Sequence, residues 1–136
     1  MVMAKILVVD DDSVFCKRAR LTLERGGHQV ATTDSGRDAL AVVIREEAEL
    51  IVLDLSMPKM DGAIVLQVLR SYQRWRDLPV IIATANMEGE QFERVTKLGF
   101  QCAFDKTKLN FDDLLTCANA LLAGKPCCGN TDSSQQ

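Results

Sequence analysis

The sequence predicts an α/β fold in which a doubly wound parallel sheet of five strands is covered by five helices. Short apolar runs rich in β-branched residues alternate along the chain with helix-sized amphipathic segments. Continuous apolar runs are typical of strands buried on both faces, as in a parallel sheet between two helical layers. The chain has 136 residues and is 47% hydrophobic, so it has the length of one domain and enough apolar side chains for a core.

The first half of the chain is predicted to hold three strands and two helices. The strands are apolar runs bounded by turn residues, and the helices place apolar side chains three and four residues apart. Gly26 and Gly27 stop the first helix, and Ser35 is a candidate N-cap for the second, whose core face is predicted to include Ile44. The predicted elements are a strand at 5–9, a helix at 13–25, a strand at 29–33, a helix ending near 47 and a strand at 50–53.

The second half repeats the alternation. Pro79 precedes a buried strand, and Gly99 ends a polar helix whose apolar face is thin. The predicted elements are a loop at 57–62, a helix at 63–72, a strand at 80–84, a helix at 88–98, a strand at 102–105 and a last helix from Asn110 to Gly124. We expect one domain at 1–124, and a flexible polar tail or the start of a linker at 125–136, where apolar periodicity is absent.

Composition excludes several classes of function. The formal charge is -3 and the pI is near 5.1, so direct nucleic-acid binding is disfavoured. The apolar runs are strand-sized and no signal pattern opens the chain, which predicts a cytoplasmic protein without a membrane span. Five cysteines without a C-x-x-C pair, and one histidine, His28, in a turn, argue against a disulfide framework and a zinc site.

Conspicuous polar residues stand where predicted strands end. Taken singly, each has an ordinary explanation: an acid in a turn, a solvated helix start, or a surface lysine. The carboxyl ends of parallel strands, however, form one rim of the sheet, and doubly wound folds bind their ligands there. The residues on this rim are Asp10, Asp11 and Asp12 after the first strand, Asp54 after the third, Thr84 at the end of the fourth and Lys106 after the fifth.

The residue types on this rim suit phosphoryl transfer. Two carboxylates 4 Å apart repel by roughly 4 kcal/mol at an effective dielectric of about 20, so the cluster needs a cation. An all-oxygen ligand set favours Mg²⁺. Asp54 is then a candidate nucleophile, Thr84 a hydroxyl donor and Lys106 a fixed positive charge, the groups that position and neutralise a phosphoryl group.

Four stretches of the chain resemble the receiver domain of two-component response regulators. They are Ile6 to Asp12, Leu53 to Gly62, Leu78 to Ala85, and Lys106. The resemblance covers about residues 4 to 123 and implies a flavodoxin-like sheet with strand order 2-1-3-4-5. It implies a signalling domain rather than an enzyme, one that assists its own phosphorylation and dephosphorylation.

The resemblance also implies a role for each residue of the rim. Asp54 would accept a phosphoryl group from a histidine kinase or a histidine phosphotransfer protein, changing the binding of an unknown downstream protein through the face of the fourth helix, fifth strand and fifth helix. Asp12 would be a neighbour of the site. The implied set is Asp10, Asp11 and the Ser56 backbone carbonyl for Mg²⁺, and Thr84, the Ala85 amide and Lys106 for the phosphoryl oxygens.

Two positions depart from the family pattern. Ala103 stands where receivers usually carry an aromatic residue, and the two-residue period of a strand points Phe104 to the opposite face. Thr107 stands where a proline after a cis peptide is usual, and we expect a trans bond because a non-proline cis bond costs about 3 kcal/mol. The predicted output therefore relies on Thr84, the 86–87 loop and the fourth helix.

Two alternatives stay open. One is a receiver-fold interaction module that signals without phosphorylation. The acids, Thr84 and Lys106 argue against it, whereas Ala103 and Thr107 leave room for it. The other is a metal-dependent phosphohydrolase with an aspartyl-phosphate intermediate. It would need a second acid two residues after the nucleophile, where Ser56 stands.

Overall fold

The computed structural model describes residues 3–57 and 60–126, and strands and helices alternate along the chain as predicted. Residues 58 and 59 of the predicted loop, and most of the predicted tail (127–136), lie outside the described part. The elements are β1 (Lys5–Val9), α1 (Ser13–Arg25), β2 (Gln29–Thr33), α2 (Gly36–Glu46), β3 (Leu50–Leu53), α3 (Gly62–Ser71), β4 (Val80–Thr84), α4 (Glu90–Leu98), β5 (Cys102–Asp105) and α5 (Phe111–Leu122).

The sheet is parallel and has the order β2-β1-β3-β4-β5, which confirms the predicted fold class. Its register brings the carboxyl ends of the strands level with one another. Val9 pairs with Thr33 on one side and with Leu53 on the other. Thr84 of β4 pairs with Asp105 of β5. The residues that follow β1, β3 and β5 therefore meet at one rim.

Two hydrophobic clusters cover the two faces of the sheet. One packs the strands against α1 and α5, and the other packs them against α2, α3 and α4. Phe104 belongs to the α1–α5 cluster and Ala103 to the α2–α4 cluster, which confirms that these neighbours point to opposite faces. The apolar runs of β3 and β4 are fully buried because both faces are covered.

Several element boundaries differ from the predictions by one or two residues. α4 begins at Glu90 rather than at 88, because the Asn86 side chain accepts a hydrogen bond from the Glu88 amide and holds the chain in a turn. A 3₁₀ turn, Gln73–Trp75, occupies the charged connection before β4. Ile44 was predicted on the core face of α2 but is 56% exposed, since the buried face turns through Ala39 and Val43.

The cysteines differ from the sequence-based expectation, which argued against a disulfide framework. Cys16 is a free thiol, whereas Cys102 of β5 and Cys117 of α5 are disulfide-bonded. Both belong to the α1–α5 cluster and are fully buried, as their apolar surroundings in the sequence predict. Sequence spacing alone does not reveal that distant cysteines enter the same cluster. Among the described residues, no helix combines the length and the apolar character that crossing a bilayer requires.

His28 is a buried cross-link near the start of β1, at the opposite end of the strand from the acids. Its Nδ1 accepts a hydrogen bond from the Ala4 amide at 3.2 Å, so Nε2 carries the proton that is donated to Asn119 Oδ1 at 2.7 Å. The ring thus ties the start of β1 to α5.

We expect His28→Ala to lower the free energy of unfolding by about 2 kcal/mol, because it leaves the buried Ala4 amide without a partner and removes the hydrogen bond to Asn119. Urea titration measures this loss. In a double-mutant cycle, Asn119→Ala should cost less in the His28→Ala background than alone. Fully additive losses would contradict the cross-link.

Candidate functional site

Three carboxylates converge at the rim. Asp10, Asp11 and Asp54 each present an oxygen within 4.8 Å of the others. Asp10 and Asp54 are buried, with 1% and 4% of their surface exposed, whereas Asp11 is exposed. The structure thus brings together the three acids on which the predicted magnesium site and nucleophile depend.

The sheet itself fixes the two buried acids, because its hydrogen bonding continues one residue beyond the strands. The Asp10 amide donates to Thr33 O at 3.0 Å, and the Asp54 amide donates to Val9 O at 2.9 Å. The first residue of α3, Gly62, packs directly on the Asp54 backbone, and a Cβ added at Gly62 would collide with the Asp54 carbonyl oxygen. The backbone at Asp54 therefore has little room to shift toward α3.

Lys106 reaches this cluster from the end of β5. Its Nζ donates to Asp10 Oδ2 at 2.8 Å, and the lysine side chain is 16% exposed. The other oxygen of Asp10, Oδ1, accepts a hydrogen bond from the Asp12 amide at 2.9 Å. Among the described residues, the ammonium of Lys106 forms the one ion pair with this cluster of three carboxylates, so these four groups together carry an excess of negative charge.

Burial and the repulsion between the acids shift the pKa values of these groups. Burial, with the nearby charge of Asp10, raises the pKa of Asp54 to about 7. Burial also raises the pKa of Asp10, and the hydrogen bond from Lys106 offsets only part of this effect. Burial alone would lower the pKa of Lys106, but the hydrogen bond to Asp10 and the charges of Asp54 and Asp10 outweigh it and raise that pKa. A bound cation would relieve this repulsion.

The remaining predicted residues surround the cluster. Ser56 is exposed in the loop after β3, and its backbone acts to lower the pKa of the Asp54 carboxyl against the larger effect of burial. Thr84 is buried at the end of β4, where its hydroxyl accepts a hydrogen bond from the Asn86 amide at 3.3 Å, and Ala85 is exposed in the same loop. The hydroxyl of Thr84 is thus engaged with the loop that leads to α4.

The two positions that depart from the family pattern have definite surroundings. All peptide bonds among the described residues are trans, which confirms the expectation at Thr107. The Asp105 carboxylate accepts hydrogen bonds from the Thr107 amide and hydroxyl, at 2.9 and 2.6 Å, and caps the 3₁₀ turn Lys106–Lys108. Ala103 is fully buried in the α2–α4 cluster, which also includes Phe92 and Met87.

Sequence reasoning missed one neighbour of the site. Phe15, in the first turn of α1, is not among the predicted site residues, but its ring centroid lies 4.9 Å from Lys106 Nζ. Asp12, predicted as a bystander, caps α1 by accepting hydrogen bonds from the Val14 and Phe15 amides. An aromatic residue in the first turn of the helix that follows the acids is the sequence signal for this contact.

Comparison with known proteins agrees with this geometry. The family model described as response regulator receiver domain matches residues 6–119. The alkaline phosphatase synthesis transcriptional regulatory protein PhoP of Bacillus subtilis is 39% identical over 101 residues, which cover 74% of this chain and 40% of PhoP. A putative transcriptional regulator of Pseudomonas aeruginosa is 33% identical over 123 residues, 90% of this chain and 58% of that protein. The chain thus spans about half the length of these relatives, or less.

Solved structures share the fold. The chemotaxis protein CheY4 of Vibrio cholerae has a TM-score of 0.79 and 27% identity, with 87% of this chain and 98% of that chain covered. The receiver domain of the Francisella response regulator 1452 has a TM-score of 0.77 and 28% identity, with 89% of this chain and 98% of that chain covered. The similarity extends over nearly the whole of both structures.

Proposed function

Because this chain belongs to the response regulator receiver domain family, we propose that it is a phosphoacceptor switch in which Asp54 takes a phosphoryl group from a histidine kinase or a histidine phosphotransfer protein. The observation that carries the proposal is the convergence of Asp54 with Asp10, Asp11 and Lys106 at the rim. An oxygen of Asp54 attacks phosphorus, and the donor nitrogen leaves with the electrons of the P–N bond. We propose a cytoplasmic location as part of the same proposal, because such donors act in the cytoplasm.

Mg²⁺ is the cofactor that this donor set fits. Three carboxylate oxygens within 4.8 Å of one another, two of them on buried acids with raised pKa values, are a hard-ligand cluster with excess negative charge. Asp10, Asp11 and the Ser56 carbonyl would hold the ion, which when bound supplies charge neutralisation for phosphoryl oxygens. In the protein itself, Lys106 offers a second positive charge, and Thr84 and the Ala85 amide offer hydrogen-bond donors to the same oxygens.

The experiment that tests this function is direct phosphorylation. We expect acetyl phosphate or phosphoramidate with Mg²⁺ to give a phosphoryl adduct, seen by mass spectrometry of the intact protein and traced to Asp54 by peptide mapping after borohydride reduction. Chelation of Mg²⁺ should prevent it. No adduct from either donor would favour the interaction module, the alternative for which Ala103 and Thr107 leave room.

The proposed output runs through the loop between β4 and α4. The Asn86 amide donates to the Thr84 hydroxyl, and the Asn86 side chain accepts from the Glu88 amide. From the other side, the Gln91 side chain donates to Asp61, which caps α3 after the Asp54 loop. If Thr84 turns its hydroxyl toward a phosphoryl oxygen, the hydrogen bond to Asn86 is lost and α4 is released on one side. The α4–β5–α5 face would then differ for a downstream partner.

We expect beryllofluoride with Mg²⁺ to shift the amide resonances of residues 86–98 in NMR spectra, and to shift those of α2 much less. The reason is that Thr84 and Asn86 link the rim to α4, whereas α2 has no such link among the described hydrogen bonds. Asn86→Ala is the matched variant, because it removes the side-chain bond to Glu88 and should reduce the response of α4. Binding of beryllofluoride without any shift in α4 would exclude this route.

A further inference from the structure

We propose that Phe15 is a positioning residue for Lys106, its ring face holding the ammonium beside Asp10 so that the lysine is already in place when a phosphoryl group arrives. The inference rests on the proposed function for its role in phosphorylation. The placement of Lys106 can be tested without any phosphodonor.

The contact has the geometry of a cation–π interaction. Lys106 Nζ lies 4.9 Å from the Phe15 ring centroid, inside the range of about 6 Å in which such attraction operates. Phe15 is 7% exposed and the lysine side chain 16% exposed, so solvent screens the contact little. Within the described part of the chain, the ammonium therefore contacts the Asp10 carboxylate and the aromatic ring.

Hydrogen bonds and ring contacts that link Asp10, Asp12, Phe15 and Lys106 hold the Phe15 ring in place. The Asp12 amide donates to Asp10 Oδ1 at 2.9 Å, and the Asp12 carboxylate accepts from the Phe15 amide at 3.2 Å. The Phe15 ring lies against Lys106, and Lys106 donates back to Asp10 at 2.8 Å. The N-terminus of α1 thus determines where the lysine stands, and Asp12 has a part in this that its sequence position does not suggest.

The Phe15 ring attracts the ammonium without the negative charge that a second carboxylate would add. An ammonium has three N–H donors, and the hydrogen bond to Asp10 uses one of them. A π face attracts the charge without adding a negative charge to a cluster that already has three acids. If a metal ion draws on the Asp10 oxygens, the contact with Phe15 remains and keeps Lys106 at the rim.

A neighbouring ring provides a matched control. Phe111 lies 5.5 Å from Phe15, centroid to centroid, and carries a different cation, the Arg18 guanidinium at 4.4 Å. Phe111→Leu therefore removes a ring from the same aromatic pair but leaves the contact between Phe15 and Lys106. Phe15→Leu removes the ring that faces Lys106 while keeping an apolar side chain in the core.

The experiment compares the two leucine variants with Phe15→Tyr, which keeps a ring face. NMR relaxation of the Lys106 Cε methylene in the metal-free protein reports how well the side chain is ordered. The rate of phosphorylation by acetyl phosphate with Mg²⁺ reports the consequence. We expect Phe15→Leu to disorder Lys106 and slow phosphorylation about threefold to tenfold, a range set by the usual strength of cation–π contacts. For Phe111→Leu and Phe15→Tyr we expect the order of the Lys106 side chain and the phosphorylation rate to remain close to those of the unaltered protein.

Each other outcome has a definite meaning. Unchanged Lys106 order in Phe15→Leu overturns the proposal, and so does equal disorder in both leucine variants, because the ring would then act only as core packing. If Phe15→Leu does not fold, trifluorinated phenylalanine at position 15 weakens the ring face at nearly constant volume, and undiminished Lys106 order there overturns it. If the unaltered protein takes up no phosphoryl group, the proposed function fails, and the relaxation data still decide the role of Phe15.

Discussion

Replacement of Asp54 by asparagine is expected to abolish phosphoryl uptake and to stabilise the metal-free protein at neutral pH. The amide has nearly the same shape as the carboxylate but is not a nucleophile toward phosphorus. It also removes one negative charge from a buried cluster in which Asp10 lies close by. The same substitution should therefore eliminate function and raise stability.

The sign of the stability effect follows from the raised pKa of Asp54. In the folded protein that pKa is about 7, against an ordinary value of 3.8. Between these two pH values the Asp54 carboxyl binds more protons in the folded state than in the unfolded state, so its contribution to stability falls as pH rises from about 4 to about 7. Asp54→Asn lacks this contribution. Relative to the unaltered protein, its free energy of unfolding should be higher by about 1–3 kcal/mol at pH 7.5, and the difference should vanish near pH 4.

Urea titrations of metal-free protein across this pH range measure the gain. Asp11→Asn is the matched control, because Asp11 belongs to the same cluster but is exposed, and it should gain much less. Added Mg²⁺ should stabilise the unaltered protein by mass action and stabilise Asp11→Asn less. A gain for Asp54→Asn that grows toward acid pH would contradict the assignment of the raised pKa.

Lys106→Met is expected to have the opposite effect on stability at neutral pH. Methionine retains an apolar side chain of similar length but leaves the Asp10 carboxylate, whose side chain is fully buried, without the ammonium that now lies 2.8 Å away. The loss should be about 2–3 kcal/mol at pH 7.5, since a buried charge is stranded. Phosphorylation by acetyl phosphate should slow by roughly a hundredfold, as expected when a fixed charge near the transition state is removed.

The pH dependence separates this stranded charge from general damage to the fold. Burial already raises the pKa of Asp10, and without Lys106 that carboxyl stays protonated to still higher pH. The penalty of Lys106→Met should therefore shrink as pH falls, because Asp10 takes up a proton and no buried charge is left without a partner. Lys108→Met, at an exposed lysine of the same 3₁₀ turn, is the control and should cost little at any pH. A penalty that is constant with pH would exclude the stranded-charge explanation.

Periodicity sufficed for the architecture because the central strands are covered on both faces. β3 and β4 are continuous apolar runs in the sequence and are fully buried in the structure, so composition and environment agree. The rule that ligands bind at the carboxyl ends of such strands predicted that Asp10, Asp54 and Lys106 lie close together, and their contacts agree with this prediction.

Sequence periodicity did not predict features that depend on the direction of a single side chain. The start of α4 was predicted two residues early, because the turn at Asn86 is made by one hydrogen bond that no periodicity reveals. The contact between Phe15 and Lys106 joins residues 91 positions apart in the chain and depends on how α1 begins at its cap. Such contacts are tertiary, and helical periodicity does not show which residue the Phe15 ring faces.

Gly62 has a consequence for how the chain tolerates substitution. Because a Cβ at this position would run into the Asp54 carbonyl oxygen and lie 2.9 Å from the Leu55 Cα, both backbone atoms, no rotation of a side chain relieves the clash. In a saturation library selected for signalling, position 62 should therefore admit almost no replacement, although it takes no part in the chemistry. The exposed Asp11, by contrast, should accept many residues in a selection for folding and few in a selection for phosphorylation.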